Sequence, residues 1–167
     1  FMPAFERGMS LHDAEIDAIT SNNDEPTFEN TILAYDNAGQ MLAQTELIFG
    51  MLCAAETNER MQALQEQVMP LLSAHRDKIR LDEKLFARVK DVYDRRASLG
   101  LDAEQSRLLR KTYDAFVRSG ALLDAGQKAR LKDINGEPSL TAVKFGNNIL
   151  AENNNFALEL TADDLEG

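Results

Sequence analysis

The stretch that decides the fold is Pro70–Lys90, PLLSAHRDKIRLDEKLFARVK, near the middle of the chain. Its apolar residues recur every three or four positions, which is the spacing of one face of an α-helix, and charged residues fill the positions between them. Asp82 stands where the pattern restarts, and an aspartate there can accept a hydrogen bond from the amides of a new first turn. The stretch therefore predicts two amphipathic helices that meet at Asp82. It contains no group that could do chemistry alone.

The same spacing continues over the rest of the chain. Ser10 with Asp13 predicts a capped first helix, and Thr27 predicts the start of a helix of about seven turns that reaches Leu52. Later helices are predicted to begin at side chains that can cap them and to end at glycines that can adopt left-handed backbone angles. The predicted caps are Asn58 or Thr57, Asp82, Asp102 with Gln105, and Asp124 with Gln127, and the predicted stops are Gly100 and Gly120.

Two prolines fall inside helical patterns. Pro70 and Pro138 lack an amide donor and clash with the preceding turn, so we expect a kink or a break at the first and a bend near Gly136 at the second. Phe156–Leu160 alternates in polarity and is the one strand candidate. Because the connections are short, neighbouring helices should run antiparallel. The predicted fold is all-α: an antiparallel multi-helix bundle with two proline-kinked helices, forming a single domain over residues 1–167.

Charge and composition exclude several classes of function. The 28 acidic and 18 basic residues give a net charge of −10, which repels a phosphate backbone, so we predict no nucleic-acid partner. No apolar run approaches the roughly 18 to 20 residues that a membrane span needs, so we predict no membrane partner. The single Cys53 lies in an apolar run and is interpreted as a small core residue that cannot form an intrachain disulfide.

The two ends suggest a piece of a longer protein. The chain opens on Phe1 rather than Met, and it stops at Gly167 just after a run typical of a helix start, Thr161–Leu165. We therefore interpret it as a fragment. The expected compartment is the cytoplasm, with the periplasm as the alternative if a signal peptide has been removed.

The chain shows no pattern of a catalytic or metal site. A zinc hydrolase needs two imidazoles one helical turn apart and a third ligand, whereas the two histidines, His12 and His75, stand far apart in the sequence. His75 lies on an apolar stripe beside Arg76 and Asp77. We interpret it as a partly buried histidine that is hydrogen-bonded to a carboxylate or a carbonyl, with a ligand or proton-shuttle role as the alternative. We predict no catalytic, cofactor-binding or metal-binding residue in this chain.

Methionines also recur along the helical pattern. Their spacing is that of core filling, although a soft partner-binding surface is the alternative interpretation. The four concerned are Met41, Met51, Met61 and Met69.

Several longer strings resemble one enzyme family. They stand in that family's order and approximate spacing, and together they run along essentially the whole chain. The strings are Pro3–Met9, Ala14–Ile19, Pro26–Ile32, Ala54–Asn58, Leu85–Val89, Arg95–Asp102, Phe116–Leu122 and Phe145–Leu150. The resemblance is to the thimet oligopeptidase and neurolysin family of zinc metallopeptidases, and within it to the N-terminal region of bacterial peptidyl-dipeptidases. Pro138 departs from the aliphatic residue that this family is expected to have there.

The resemblance implies what the parent protein does. In that family the N-terminal helices form one wall of a deep, narrow channel, and the zinc-binding helix lies far downstream. The full-length enzyme would use zinc to release dipeptides from the C-terminus of short peptides, with the downstream catalytic domain of the same chain as the partner of this region. The isolated fragment would be inactive. It would expose an apolar patch that allows self-association.

The main alternative is a free-standing helical module that binds a partner helix in a groove. The Met-rich stripe is its motivation. A ferritin-like redox bundle is a third class, and it is disfavoured because neither histidine has a glutamate three residues before it.

Overall fold

The structure is a computed structural model that describes residues 1–55 and 57–158, apart from the side chains of residues 136–140. Within these residues the chain is all-α and contains no strand, which confirms the predicted class. The elements, in chain order, are α1 (Met2–Thr20), a π-helical segment (Phe28–Leu33) that continues as α2 (Ala34–Asp36), α3 (Gln40–Ala55), α4 (Glu59–Arg80), α5 (Glu83–Asp94), α6 (Ala103–Arg118) and α7 (Ala125–Asn155).

The predicted helix starts are confirmed at most positions. Asn58 and Asp82 cap α4 and α5 by accepting from the backbone amides of Met61 and Leu85. Reciprocal capping boxes close α6 and α7, with Asp102 paired to Gln105 and Asp124 paired to Gln127. These interactions join residues three positions apart, so the sequence alone can reveal them.

The predicted start at Ser10 is wrong. Helix α1 already begins at Met2, and Ser10 lies in its interior. Pro3 occupies the first turn, where its missing amide has no intrahelical partner to lose. The turns of α1 that come before Ser10 are stabilised by packing, because Phe5 and Gly8 are buried.

The predicted seven-turn helix from Thr27 to Leu52 is also wrong in its extent. Thr27 does cap the segment through a reciprocal hydrogen-bond pair with Asn30. However, α2 ends at Asp36, and Gly39 adopts a φ of +76°, a left-handed conformation that a helix cannot include. The chain therefore changes direction before α3.

Helix ends agree less well with prediction than helix starts. Gly100 and Gly120 have positive φ, as predicted. Gly120 follows the end of α6 closely, whereas α5 ends at Asp94, six residues before Gly100. The turn over residues 95–100 is closed by short-range hydrogen bonds such as Ser98 N–H to the Arg95 carbonyl.

Neither proline divides its helix. Pro70 lies inside α4, and α7 is continuous through Pro138, so a break at Pro70 is excluded while the kinks themselves remain predictions. In the strand candidate, residues 156–158 follow the end of α7 without regular structure, and residues 159–160 lie outside the described residues, as does the cap-like run Thr161–Leu165.

Helices α1 and α3 run antiparallel. Phe5 packs on Phe49, Gly8 lies against Leu42, and the pairing continues to Glu15 and Gly39 at the other end. Helices α5 and α6 are antiparallel as well, since Phe86 meets Phe116 while Tyr93 stacks on Tyr113. Both arrangements agree with the predicted bundle.

The apolar side chains form two separate cores, and α1 joins them. Its C-terminal half enters the larger core with the π-helical segment, the end of α4, α5 and α6. Its N-terminal half enters the smaller core with α3 and the part of α4 up to Leu72. The larger core contains Ile16, Ile19, Phe28, Ile32, Ile79, Leu85, Phe86, Val89, Val92, Leu109, Phe116 and Ala121. The smaller contains Phe5, Leu42, Phe49, Val68 and Leu72.

Candidate functional site

The two histidines of the chain meet between the two cores. His75 is only 7% exposed on α4, and its Nε2 lies 3.2 Å from Nδ1 of His12 on α1. Their rings are arranged edge to face, with centroids 5.1 Å apart. At this distance one ring nitrogen donates a hydrogen bond and the other accepts it, so the pair shares one proton in the contact. The sequence did not suggest this pair, because 63 residues separate its members.

The predicted burial of His75 is confirmed, but its hydrogen-bond partner is the imidazole of His12 rather than the predicted carboxylate or carbonyl. Its second ring nitrogen, Nδ1, lies 3.7 Å from the carboxylate of Asp13 on α1. Asp77 instead accepts a hydrogen bond from Asn135 on α7, and Arg76 pairs with Glu46 on α3.

A second link between α1 and α4 lies beside the histidines. The ammonium group of Lys78 lies 2.8 Å from the same Asp13 carboxylate. Asp13 therefore faces both a buried imidazole and a cation. Because the Lys78 side chain is mostly exposed, this ion pair contributes little to the free energy of folding. Its main effect is to hold the Asp13 carboxylate in place beside His75.

Gly39 completes the surroundings of His12. Its backbone amide donates a 2.7 Å hydrogen bond to Glu15 Oε2, which holds the turn between α2 and α3 against α1. A Cβ at Gly39 would lie 2.8 Å from His12 Nδ1 and Cε1, closer than any carbon normally approaches. The left-handed turn and the imidazole ring therefore both require glycine here.

Burial makes both imidazoles harder to protonate. It lowers the pKa of His75, and the Asp13 carboxylate opposes part of that effect. Burial also lowers the pKa of His12, and the charge that His75 carries when protonated lowers it further. Two neutral imidazoles can share the contact, whereas two imidazolium ions would lose it and repel each other. The contact is thus held together near neutral pH.

This geometry predicts that acid destabilises the chain. Since both pKa values are lower in the folded state than the ordinary value of 6.5, the unfolded state takes up protons first as the pH falls. The free energy of unfolding should be at its full value above pH 6.5 and should fall as the pH drops through the unfolded value toward the depressed folded values. Urea unfolding midpoints measured between pH 5.5 and 7.5 check this.

The control for this pH prediction is a double variant. His12→Asn with His75→Gln removes the only two histidines in the chain and keeps polar side chains at both positions. Its unfolding midpoint should be nearly constant over the same pH range. A slope equal to that of the unaltered protein would show that other groups cause it.

A cleft of about 320 Å³ opens beside the histidine pair. Its apolar wall is formed by Leu42 and Ile79, which are both buried, with Ala38 and Ala43 at its side. Its polar lining is mostly contributed by the last two turns of α4 and the segment before α3. The polar lining residues are His12, Tyr35, Glu46, His75, Arg76 and Arg80.

The described residues do not fit a catalytic zinc centre. Among residues 1–55 and 57–158, no three or more histidine, cysteine, aspartate or glutamate side chains converge in a way that could hold a metal ion. A catalytic zinc site has three protein ligands, so the histidine pair alone falls short of one. The thiol of Cys53 is partly buried against the smaller core, and burial raises its pKa, which favours the protonated thiol.

The outer face of α3 is apolar and uncovered within the described structure. Its exposed side chains lie on successive turns, and Leu47 and Met51 are each 64% exposed, with Ile48 and Leu52 beside them. The methionine stripe accordingly divides: Met61 and Met69 fill the smaller core as predicted, whereas Met41 and Met51 are exposed. An exposed apolar face of this kind is typical of an interface.

Comparison with known proteins identifies relatives over nearly the whole chain, although no protein-family model matches it. The chain is 41% identical to the dipeptidyl carboxypeptidase of Escherichia coli over 153 residues, which is 92% of this chain and 22% of that protein. It is similar to part of a dipeptidyl carboxypeptidase. This confirms the resemblance predicted from the sequence.

Two further relatives agree. The dipeptidyl carboxypeptidase of Salmonella typhimurium is 38% identical over 90% of the chain, and a thimet-like oligopeptidase of Dictyostelium discoideum is 24% identical over 89%. The chain spans about a fifth of the length of these relatives, since it covers 22% of each.

Among the described residues, none of the helices is long and apolar enough to cross a bilayer.

Proposed function

We propose that residues 1–167 form the N-terminal helical domain of a longer zinc metallopeptidase of the peptidyl-dipeptidase type. The observation that carries this proposal is the similarity of nine-tenths of the chain to about a fifth of two dipeptidyl carboxypeptidases. The full-length protein would release dipeptides from the C-terminus of short peptides. The 167-residue chain would be inactive because its described side chains offer no set of zinc ligands.

The zinc of the full-length protein would be held by residues outside this chain. When bound there, zinc supplies Lewis acidity and lowers the pKa of a coordinated water. The residues of this chain act earlier, by limiting which substrates reach that centre. A rigid wall of packed helices excludes folded proteins and admits extended short peptides.

The exposed face of α3 gives this role a structural basis. Leu47, Ile48, Met51 and Leu52 would be covered by the downstream catalytic domain of the same chain. Burying side chains of this size stabilises an interface by roughly 1.5–3 kcal/mol each when burial is complete. In the isolated chain the same face would be free to associate with a second copy.

The direct test compares the 167-residue chain with the protein encoded by the complete open reading frame. The longer protein should cleave an N-terminally blocked tripeptide to release its C-terminal dipeptide and should bind one zinc ion. The 167-residue chain should do neither. Hydrolysis by the shorter chain that persists after further purification would refute the proposal, and a complete reading frame without any zinc-binding motif would favour a free-standing interaction module.

A second prediction concerns the α3 face. The double variant Leu47→Ser, Met51→Ser should lower the peptidase activity of the longer protein severalfold, because the face would no longer hold the catalytic domain firmly. In the 167-residue chain it should change the free energy of unfolding by only about 0.5 kcal/mol per site, as is usual for exposed positions, and reduce any self-association seen by light scattering. Leu122→Ser is the matched control, since Leu122 is 61% exposed in the turn before α7. Equal losses of activity in both variants would argue against a specific role for α3.

The proposal also covers the partners and the cellular compartment of the protein. The net charge of −10 supports the absence of a nucleic-acid partner. We place the full-length protein in the cytoplasm, with the periplasm as the alternative, and fractionation of cells that produce the complete protein decides between them.

A further inference from the structure

The cleft beside the histidine pair has hydrogen-bond donors that the protein itself does not use. Within residues 1–55 and 57–158, the Tyr35 hydroxyl makes no hydrogen bond, and the Arg80 guanidinium makes neither a hydrogen bond nor an ion pair. Both side chains line the cleft. Burial raises the pKa of Tyr35, and the positive charge of Arg80 opposes that effect. Because both side chains line the same cleft, both can face one ligand bound there.

Among the side chains that line the cleft, Arg80 carries the one charge that no other lining residue balances. Arg76 and Glu46 neutralise each other in an ion pair across its mouth. His12 and His75 are neutral near pH 7, since burial lowers both pKa values. The acidic Asp36 also raises the pKa of Tyr35, but it is not among the residues that line the cleft. The cleft lining therefore carries one net positive charge in a chain whose overall charge is −10.

The shape of the cleft indicates the rest of the ligand. Its volume of about 320 Å³ is at the lower end of the range for small-molecule pockets. Next to the donors lies an apolar wall of Leu42 and Ile79 with Ala38 and Ala43 beside it. A ligand that fits has an anionic group at one end and a small aliphatic group at the other. The C-terminal residue of a peptide has this form.

We propose that the cleft binds the C-terminal carboxylate of a short apolar peptide. Arg80 and the Tyr35 hydroxyl donate hydrogen bonds to the carboxylate, and the terminal side chain rests on Leu42 and Ile79. A hydrogen bond from a charged donor is stronger than a neutral one, so Arg80 supplies most of the affinity. The choice of a peptide as the source of the carboxylate rests on the proposed function.

The test measures binding of N-acetyl-Leu-Leu to the 167-residue chain by calorimetry and by nuclear magnetic resonance. We expect saturable binding with shifts at the amides of the cleft residues, and binding about tenfold weaker for the same peptide with an amidated C-terminus. Sodium acetate is the second arm, which separates recognition of a peptide from recognition of any carboxylate. Acetate should bind more weakly than the peptide because it cannot reach the apolar wall.

Two variants and one control separate the proposal from loss of folding. Arg80→Gln and Tyr35→Phe should weaken binding of the free-carboxylate peptide, the first about tenfold or more and the second severalfold, while circular dichroism stays unchanged. Arg60→Gln is the control, because Arg60 is exposed on the first turns of the same helix and does not line the cleft. Its affinity should equal that of the unaltered chain.

Three results would overturn the proposal: no saturable binding, equal affinity for the acid and the amide, or unchanged affinity in both cleft variants. If Arg80→Gln fails to fold, Tyr35→Phe still decides, since it removes one hydroxyl and keeps the ring that packs on Phe116. The experiment is independent of catalysis. Peptide binding by the chain together with an inactive longer protein would leave the cleft assigned and reject the peptidase function, and the reverse result would do the opposite.

Discussion

Replacing Phe116 by alanine is expected to lower the free energy of unfolding by about 3–5 kcal/mol. The side chain is 1% exposed in the larger core. The centroid of its ring lies 5.3 Å from the ring centroid of Tyr35 and 6.0 Å from that of Phe86. Alanine would leave a cavity between three elements that cannot all move to fill it. Since domains are stable by only about 5–15 kcal/mol, this loss is a large share of the total. Urea unfolding followed by circular dichroism measures it.

The matched control is Phe145→Ala on α7. Phe145 is 65% exposed, so its removal should change the free energy of unfolding by about 0.5 kcal/mol or less. Phe116→Leu should fall between the two, because it keeps part of the volume. If both alanine variants lost the same amount, the larger core would not be the main source of stability.

The second large effect is expected for Gly39→Ala. Alanine in the left-handed conformation costs about 1–2 kcal/mol, and at this position its Cβ would also lie 2.8 Å from two atoms of the His12 ring. His12 would have to move, which would disturb its contact with His75. The variant should therefore lose stability and also lose the difference in unfolding between neutral and acid pH. Both are measured in the same pH series of urea unfolding curves.

Gly100→Ala separates the two causes. Gly100 has a φ of +63°, but nothing lies within 4 Å of the position its Cβ would take. This variant should lose only the free energy that the left-handed backbone conformation costs an alanine. Its free energy of unfolding should keep the pH dependence of the unaltered chain. A loss in Gly39→Ala no larger than in Gly100→Ala would mean that the ring of His12 does not restrict the turn.

The helical class and most helix starts could be predicted because their causes are local. The side chains of Asp102 and Asp124 cap their helices by accepting hydrogen bonds from backbone amides three residues on. The apolar periodicity from Leu85 to Val92 marks a face that is buried in the structure. The error at Ser10 arose because packing of Phe5 and Gly8 extends α1 to Met2, and the error in the helix predicted from Thr27 to Leu52 arose at the turn around Gly39. Periodicity cannot show that Gly39 turns the chain, because the same residue is tolerated inside a helix at a cost of about 1 kcal/mol.

The candidate site could be predicted only in part. His75 was recognised as buried because it lies on the apolar stripe of α4, but its partner His12 and the carboxylate of Asp13 lie on α1. Likewise, Tyr35 on α2 and Arg80 at the end of α4 line one cleft although they lie far apart in the sequence. No regular spacing in the chain connects these positions.

Most helix starts, their capping residues and the similarity to dipeptidyl carboxypeptidases can be recognised from the order of the amino acids, because they depend on interactions over three or four residues and on the order of the strings. Three features arise only when the helices pack: α1 joins two cores, His12 meets His75, and the apolar face of α3 remains uncovered within the described residues. Helical hydrogen bonds form within one turn of the chain, whereas contacts between helices depend on how distant apolar faces pack together.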